Sequence, residues 1–237
     1  DFPLTEKQAQ AVQEKLNPKL KINEQGILEK FSRLEYPLYF FDFETLNPAI
    51  PRFEGLQPLQ QFPFQYSCHI LHQNGELEYH TYLHESQTDP RQKIIESLLE
   101  TLGEKGSIIV YYQSFEAKCL GELSEQFPEY STQLNAIQER LWDQWELFKY
   151  YYQHPDFGGS TSLKKVLPVL VPEMSYDNLE IQGGDDAQAI WDLVIQGKAG
   201  DKKEEMLDNL RAYSEQDTYA MVAIHGVLLS EIIQTAL

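Results

Sequence analysis

The chain has 237 residues, 42% of them apolar, enough for one α/β domain with a proper core. Its formal net charge of −18 excludes a protein that coats nucleic acid through a broad basic face, but not one that grips a strand end locally. The longest apolar runs, around Leu38 to Phe43 and Ile108 to Tyr112, are far too short to span a bilayer, so no membrane partner is expected.

Residues 1–35 read as a helical lead-in, with helices from Thr5 to Leu16, capped by Thr5, and from Glu24 to Leu34. Residues 36–237 form the main domain. Tyr36 to Glu44 is a buried strand with Leu38, Phe40, Asp42 and Glu44 on one face and Tyr39, Phe41 and Phe43 on the other. Phe62 to Leu83 reads as a hairpin: Phe64, Tyr66, Cys68 and Ile70 alternate with polar residues, and Asn74-Gly75 supplies a two-residue turn. A helix follows from Pro90 to Leu102 with Asp89 as N-cap, then a strand at Ile108 to Tyr112 and a helix from Ser114 to Phe127. Trp142 to Tyr152 is helical at least in part. His154 to Gly184 is rich in loops around a short helix at Ser162 to Leu167, and helices at Ala187 to Gln196 and Lys203 to Ala236 close the chain. This order predicts an α/β fold: a mixed sheet, antiparallel hairpin plus parallel strands, with helices on both faces. The place of a fifth strand is not readable.

Acidic residues stand where apolar ones belong. Asp42 and Glu44, spaced i, i+2, point the same way from the end of an apolar strand. Asp217 falls on the stripe Leu210, Tyr213, Met221, Ile224 and Leu228, four residues after Tyr213 and four before Met221. Glu116 lies in line with Cys119, Leu120, Leu123 and Phe127, although an acid in a first helical turn also suits the macrodipole. Wet strand-end acids, a buried ion-paired Asp217 and a core Tyr213 are the structural alternatives. A core accepts several carboxylates only with a cation, and divalent metal points to phosphodiester chemistry. His69, His72, His80 and His84 show no zinc spacing, and no P-loop, GxGxxG or GxSxG motif occurs. Two cysteines without CxxC spacing and no visible signal peptide suit a reducing cytoplasm. The chain starts at Asp1 rather than Met, so a piece of a longer protein is expected.

Phe41-Asp42-Phe43-Glu44-Thr45 resembles the first motif of the DEDD 3′→5′ exonucleases of the ribonuclease H-like superfamily. Tyr111-Tyr112-Gln113-Ser114-Phe115-Glu116 resembles the second, with Gln113 and Glu116 where that family usually has Asn and Asp. Tyr213-Ser214-Glu215-Gln216-Asp217 matches the third in its Y-x-x-x-D form; Ala212 excludes the histidine form. Three further stretches, Ile50 to Phe53, Gln61 to Ser67 and Gly159 to Lys164, resemble a bacterial domain family of this superfamily found C-terminal to RecB- or Cas4-like nuclease regions, in which Glu at the second motif is usual.

The resemblance implies a ribonuclease H-like domain that hydrolyses DNA or RNA from single-stranded 3′ ends. It implies two Mg²⁺ or Mn²⁺ ions on Asp42, Glu44, Glu116 and Asp217, and a water oriented or deprotonated by Tyr213. It also implies substrate contacts near Thr45, base stacking on Phe43, Phe115 or Tyr66, and phosphate contacts from Arg52, Lys164 and Lys165. A RecB- or Cas4-like nuclease region in the same longer chain is the implied partner. Two other functions fit the same residues: a catalytically silent nuclease-fold module for binding or assembly, and an endonuclease of the same superfamily.

Overall fold

The computed structural model describes residues 3–6, 8, 12 and 19–236, with side chains to residue 231. The helix expected from Thr5 to Leu16 falls largely outside them. The described chain enters through a short strand β1 (Lys21–Ile22) and helix α1 (Glu24–Phe31), whose first turn is capped by Asn23 accepting from Gly26 N at 3.0 Å. Ile27 of α1 is buried in the main core, so this segment is built into the domain.

Next come β2 (Leu38–Leu46), β3 (Phe62–Leu71), β4 (Leu77–Leu83), α2 (Arg91–Leu102), β5 (Ser107–Val110), α3 (Gln113–Gln126) and α4 (Ser131–Glu139). A strand absent from the sequence reading, β6 (Leu141–Asp143), precedes α5 (Trp145–Tyr150), β7 (Tyr152–Gln153), α6 (Leu163–Leu170), α7 (Gly184–Ile195) and the long α8 (Lys203–Ala236). At three residues, β6 is too short to show a period. The five-stranded sheet runs β4-β3-β2-β5-β6; β3 pairs antiparallel with β2 and β4, while β5 pairs parallel with β2 and β6. β1 pairs with β7 in a separate ribbon. The molecule is therefore an α/β domain with a mixed sheet covered by helices on both faces, compatible with a ribonuclease H-like fold. No described helix is long and apolar enough to cross a membrane.

The period of β2 divides the core as expected. Leu38 and Phe40 face α7 and α8, whereas Tyr39, Phe41 and Phe43 pack on the other side with Ile94, Leu98, Cys119 and Leu123 of α2 and α3. β3 departs from the expected half-exposed hairpin strand. Its polar residues Gln65, Ser67 and His69 are buried beneath α8, because β3 is internal to the sheet and covered on both faces. Its pairing with β2 slips between Glu44 and Thr45, which meet Gln65 and Pro63 and leave Phe64 as the extra residue. That bulge shifts the side-chain parity of β3, so Phe62 and Phe64 join the α7–α8 core while Tyr66 and Cys68 join the other.

The hairpin turn is one residue longer than expected. His72 N bonds to Glu76 O and Gly75 N to His72 O, leaving Gln73, Asn74 and Gly75 as the loop, with Gly75 at φ 87°. Asp89 accepts from Arg91 N at 3.0 Å and pairs with the Arg91 guanidinium at 2.6 Å.

Candidate metal centre

Strand lengths open the site. β5 follows β2 only as far as the pair Phe40↔Ile109, so the second half of β2 runs on without a neighbour on that side. Asp42 and Glu44 lie on this overhang and face α8, which brings Asp217 to them. One carboxylate oxygen from each of the three lies within 4.8 Å of the others. Glu116 comes from the opposite layer, on the first turn of α3, which starts where β5 ends. Asp42, Glu44 and Asp217 line a cleft of about 650 Å³, whereas Glu116 is buried and does not line it.

Hydroxyls buried between β3 and α8 hold Asp217 in place. Ser67 Oγ donates to Ser214 O at 2.6 Å and bonds Thr218 Oγ1 at 2.9 Å, while His69 Nδ1 meets the same Thr218 oxygen at 2.9 Å. Gln65 Nε2 adds a bond to Leu210 O at 3.0 Å. The polar face of β3 thus fixes the rotation of α8 and, with it, the direction of Tyr213 and Asp217.

The electrostatics are unbalanced. Burial, then the Asp217 charge, raises the Asp42 carboxyl well above the usual carboxylate range; burial, Asp42 and Asp217 do the same to Glu44. Burial raises Asp217 to about 6, against the lowering effects of the Tyr176 hydroxyl, Lys164 and Tyr213. Glu116 is fully buried, and among the described residues no other residue donates a hydrogen bond to its carboxylate, which is left with its own backbone N–H. Burial raises its carboxyl as well, followed by Asp42. Two full charges about 5 Å apart repel by roughly 3 kcal/mol at an effective dielectric near 20. Lys164 is the cation that lowers Asp42, Glu44 and Asp217, and one lysine cannot neutralise three acids. All-oxygen donors, buried and mutually repelling, fit a hard divalent cation.

Lys164 and Tyr213 also line the cleft, and Tyr176 touches Asp217 without lining it. Tyr176 OH donates to Asp217 Oδ1 at 2.6 Å. Lys164 Nζ donates to Tyr213 OH at 3.2 Å and to Gln182 O, and lies 5.0 and 4.9 Å from the ring centroids of Tyr176 and Tyr213. Burial, then the neighbouring acids, raise the Tyr213 phenol far above its ordinary value, which favours its protonated, hydrogen-bond-donating form. The first turn of α7 closes the cleft; a methyl at Gly184 would sit 3.9 Å from Glu44 Oε2.

The remaining expected residues separate. Thr45 and Phe115 line the cleft, and Thr45 Oγ1 accepts from Gln61 Nε2 at 2.7 Å. Phe43 also lines it, but its ring is 3% exposed and packs edge-on against Phe41, so it offers no stacking face. Tyr66 is fully buried and bonded to Ser97 and Thr101, which removes it as a base platform. Arg52 is engaged with Asp192 at 2.5 Å and lines a different hollow beside Phe53 and Gln87, so it does not serve this cleft. Lys165 is exposed and lies outside the cleft lining; the helical turn that turns Lys164 inward carries Lys165 outward. Three residues of the site escaped the sequence reading: Tyr176, Asp185 and Asp186. Tyr176 sits in a loop without periodicity, and the Gly183-Gly184 pair before the two aspartates was the only local signal.

A family model for a domain of unknown function, DUF2779, matches residues 39–162. The chain belongs to this family. The match takes in Asp42, Glu44 and Glu116 and stops before Lys164, Tyr176, Tyr213 and Asp217. An uncharacterized protein of Ureaplasma parvum serovar 3 is 27% identical over 240 residues, covering 88% of this chain. The chain spans about a third of that relative's length, 33%. No solved structure matches.

Proposed function

We propose that the domain is a metal-dependent 3′→5′ exonuclease that hydrolyses phosphodiester bonds of DNA or RNA. One observation carries most of the weight: Asp42, Glu44 and Asp217, distant in sequence, converge within 4.8 Å without enough protein cation to balance them. Their order and elements also agree with the motifs of the tyrosine-branch DEDD nucleases.

Asp42, Glu44 and Asp217 would hold Mg²⁺ or Mn²⁺, and Glu116, to whose carboxylate no other described residue donates, would complete a second position. The bound ions would neutralise the acids, lower the pKa of a water and stabilise the departing 3′ oxygen. Tyr213, beside Lys164 at the cleft, would orient such a water through its hydroxyl. Tyr176 fixes the Asp217 carboxylate by its 2.6 Å bond. Lys164, reaching over both rings, presents a positive charge to the scissile phosphate. Replacing the second-motif Asp by Glu lengthens the arm by one methylene, which suits its start in the opposite layer. In this reading the domain works beside a RecB- or Cas4-like nuclease region in a longer chain, in keeping with a relative of which it spans about a third.

The test is hydrolysis of 5′-labelled single-stranded DNA and RNA with Mg²⁺ or Mn²⁺. A ladder shortening from the 3′ end, lost in Asp217→Asn, is the expected result. Equal products from wild type and variant would reject the assignment, and cleavage of circular single strands would make it an endonuclease. Metal binding without any cleavage would leave a silent nuclease-fold module.

A further inference from the structure

The cleft has an aromatic rim whose geometry is not needed for metal binding. Tyr112, the residue before α3, has φ 74° and ψ 69°, a left-handed conformation that non-glycine residues rarely adopt. It lines the cleft and is 40% exposed. One carboxylate enforces this turn: Asp143 Oδ2 accepts from Gln113 N at 3.1 Å, and Asp143 Oδ1 accepts from Tyr112 N at 3.1 Å and Trp145 N at 3.0 Å. Asp143 thereby ties together the two turns that carry Tyr112 and Trp145. The two ring centroids are 4.7 Å apart, and Trp145 Nε1 is anchored on Thr161 Oγ1 at 2.8 Å. Lys149 Nζ lies 4.3 Å from the Trp145 ring centroid and 4.8 Å from that of Tyr150, which is 55% exposed. The row Tyr112, Trp145, Lys149 and Tyr150 therefore leads away from the acids.

We infer that this row is a stacking shelf for unpaired bases, with Tyr112 as the platform at the cleft mouth, Trp145 as its backing and Lys149 as the cation for the adjoining phosphate. It rests on the nucleic-acid reading of the cleft and names how the strand is held. Strained backbone that keeps an aromatic ring in solvent marks a position selected for contact rather than packing. Of the expected platforms, Phe43 and Tyr66 are closed and Phe115 lines the cleft half-buried, whereas Tyr112 is 40% exposed at the same cleft. A chain of net charge −18 cannot retain a strand through many phosphate contacts, so stacking has to carry the affinity. Stacking on aromatic faces is tolerant of sequence, as an enzyme working along a strand requires.

Tyr112→Gly is the informative variant, because glycine accepts this conformation and the fold is retained or gains stability. Binding of fluorescent oligothymidylate, and of an abasic strand of equal length, is measured by anisotropy with Ca²⁺ in place of Mn²⁺. Wild type binds oligothymidylate more tightly than the abasic strand, and Tyr112→Gly weakens the former by roughly 5- to 100-fold, the range for loss of one stacked base. A melting temperature no lower than that of wild type and unchanged Mn²⁺ binding accompany the loss. Equal affinity of wild type and Tyr112→Gly, equal binding of abasic strand, or no oligonucleotide binding at all would overturn the shelf. Cleavage without a Tyr112 effect removes the shelf and leaves the nuclease. Base-dependent binding lost in Tyr112→Gly, without cleavage, keeps the shelf and removes the nuclease.

Discussion

The Tyr176 hydroxyl, from the loop before α7, donates to Asp217 Oδ1 on α8 at 2.6 Å. The bond ties that loop to α8 and favours the charged form of an acid whose carboxyl burial raises.

Tyr176→Phe should therefore weaken Mn²⁺ binding roughly tenfold at neutral pH, the scale of losing a partner that orients a metal ligand. Calorimetry on variant and wild type checks it. Unchanged affinity would show that the bond does not prepare Asp217.

The pH dependence has a definite sign. Asp217 holds its proton more tightly folded, at about 6, than its ordinary value of 3.8, so the group favours the fold at low pH. That contribution disappears as pH rises from 3.8 through about 6. His69 and His225, lowered to about 4 by burial, work in the opposite direction below their ordinary value, so a difference measurement is needed. The stability of Asp217→Asn relative to metal-free wild type should increase over the Asp217 window, and saturating Mn²⁺ should reverse the order. Urea denaturation at a series of pH values reads both.

Gly106 and Gly75 separate close approach from conformation alone. Both have positive φ, at 94° and 87°. A methyl at Gly106 would lie 2.2 Å from Pro37 O, whereas at Gly75 it meets nothing within 4 Å. Gly75→Ala should cost about 1 kcal/mol and Gly106→Ala at least about 3 kcal/mol, since backbone must move. Denaturant midpoints decide.

Ser67→Ala removes the buried hydroxyl that bonds Ser214 O and Thr218 Oγ1 at 2.6 and 2.9 Å. A loss of about 1–3 kcal/mol is expected from the stranded partners. Because Ser67 sets the seat of α8, Mn²⁺ affinity should fall as well. Destabilisation with unaltered metal affinity would mean that α8 keeps its seat without Ser67, through Gln65, His69 and apolar packing.

How much could be read in advance depended on repetition. The stripe on α8 was legible because Leu210, Tyr213, Met221, Ile224 and Leu228 recur over many turns, and that periodicity exposed Asp217 as a buried acid. Asp42 and Glu44 stood out for the same reason on β2. The burial of Gln65, Ser67 and His69 was not legible, since alternation in a strand covered on both faces looks the same as alternation at a surface. Tyr176 and Tyr112 act from a loop and a helix entrance, where no period exists. For Arg52 and Lys165 the sequence offers a charge in or beside a resembling stretch, and neither says which way a side chain points.

The convergence of Asp42, Glu44 and Asp217 on a cation is tested most directly by the anomalous difference map of a crystal grown with Mn²⁺. A peak within ligand distance of all three carboxylates, with or without a second one towards Glu116, is the expected result. A map with no peak in that cleft at millimolar Mn²⁺, with the three acids still clustered, would contradict it.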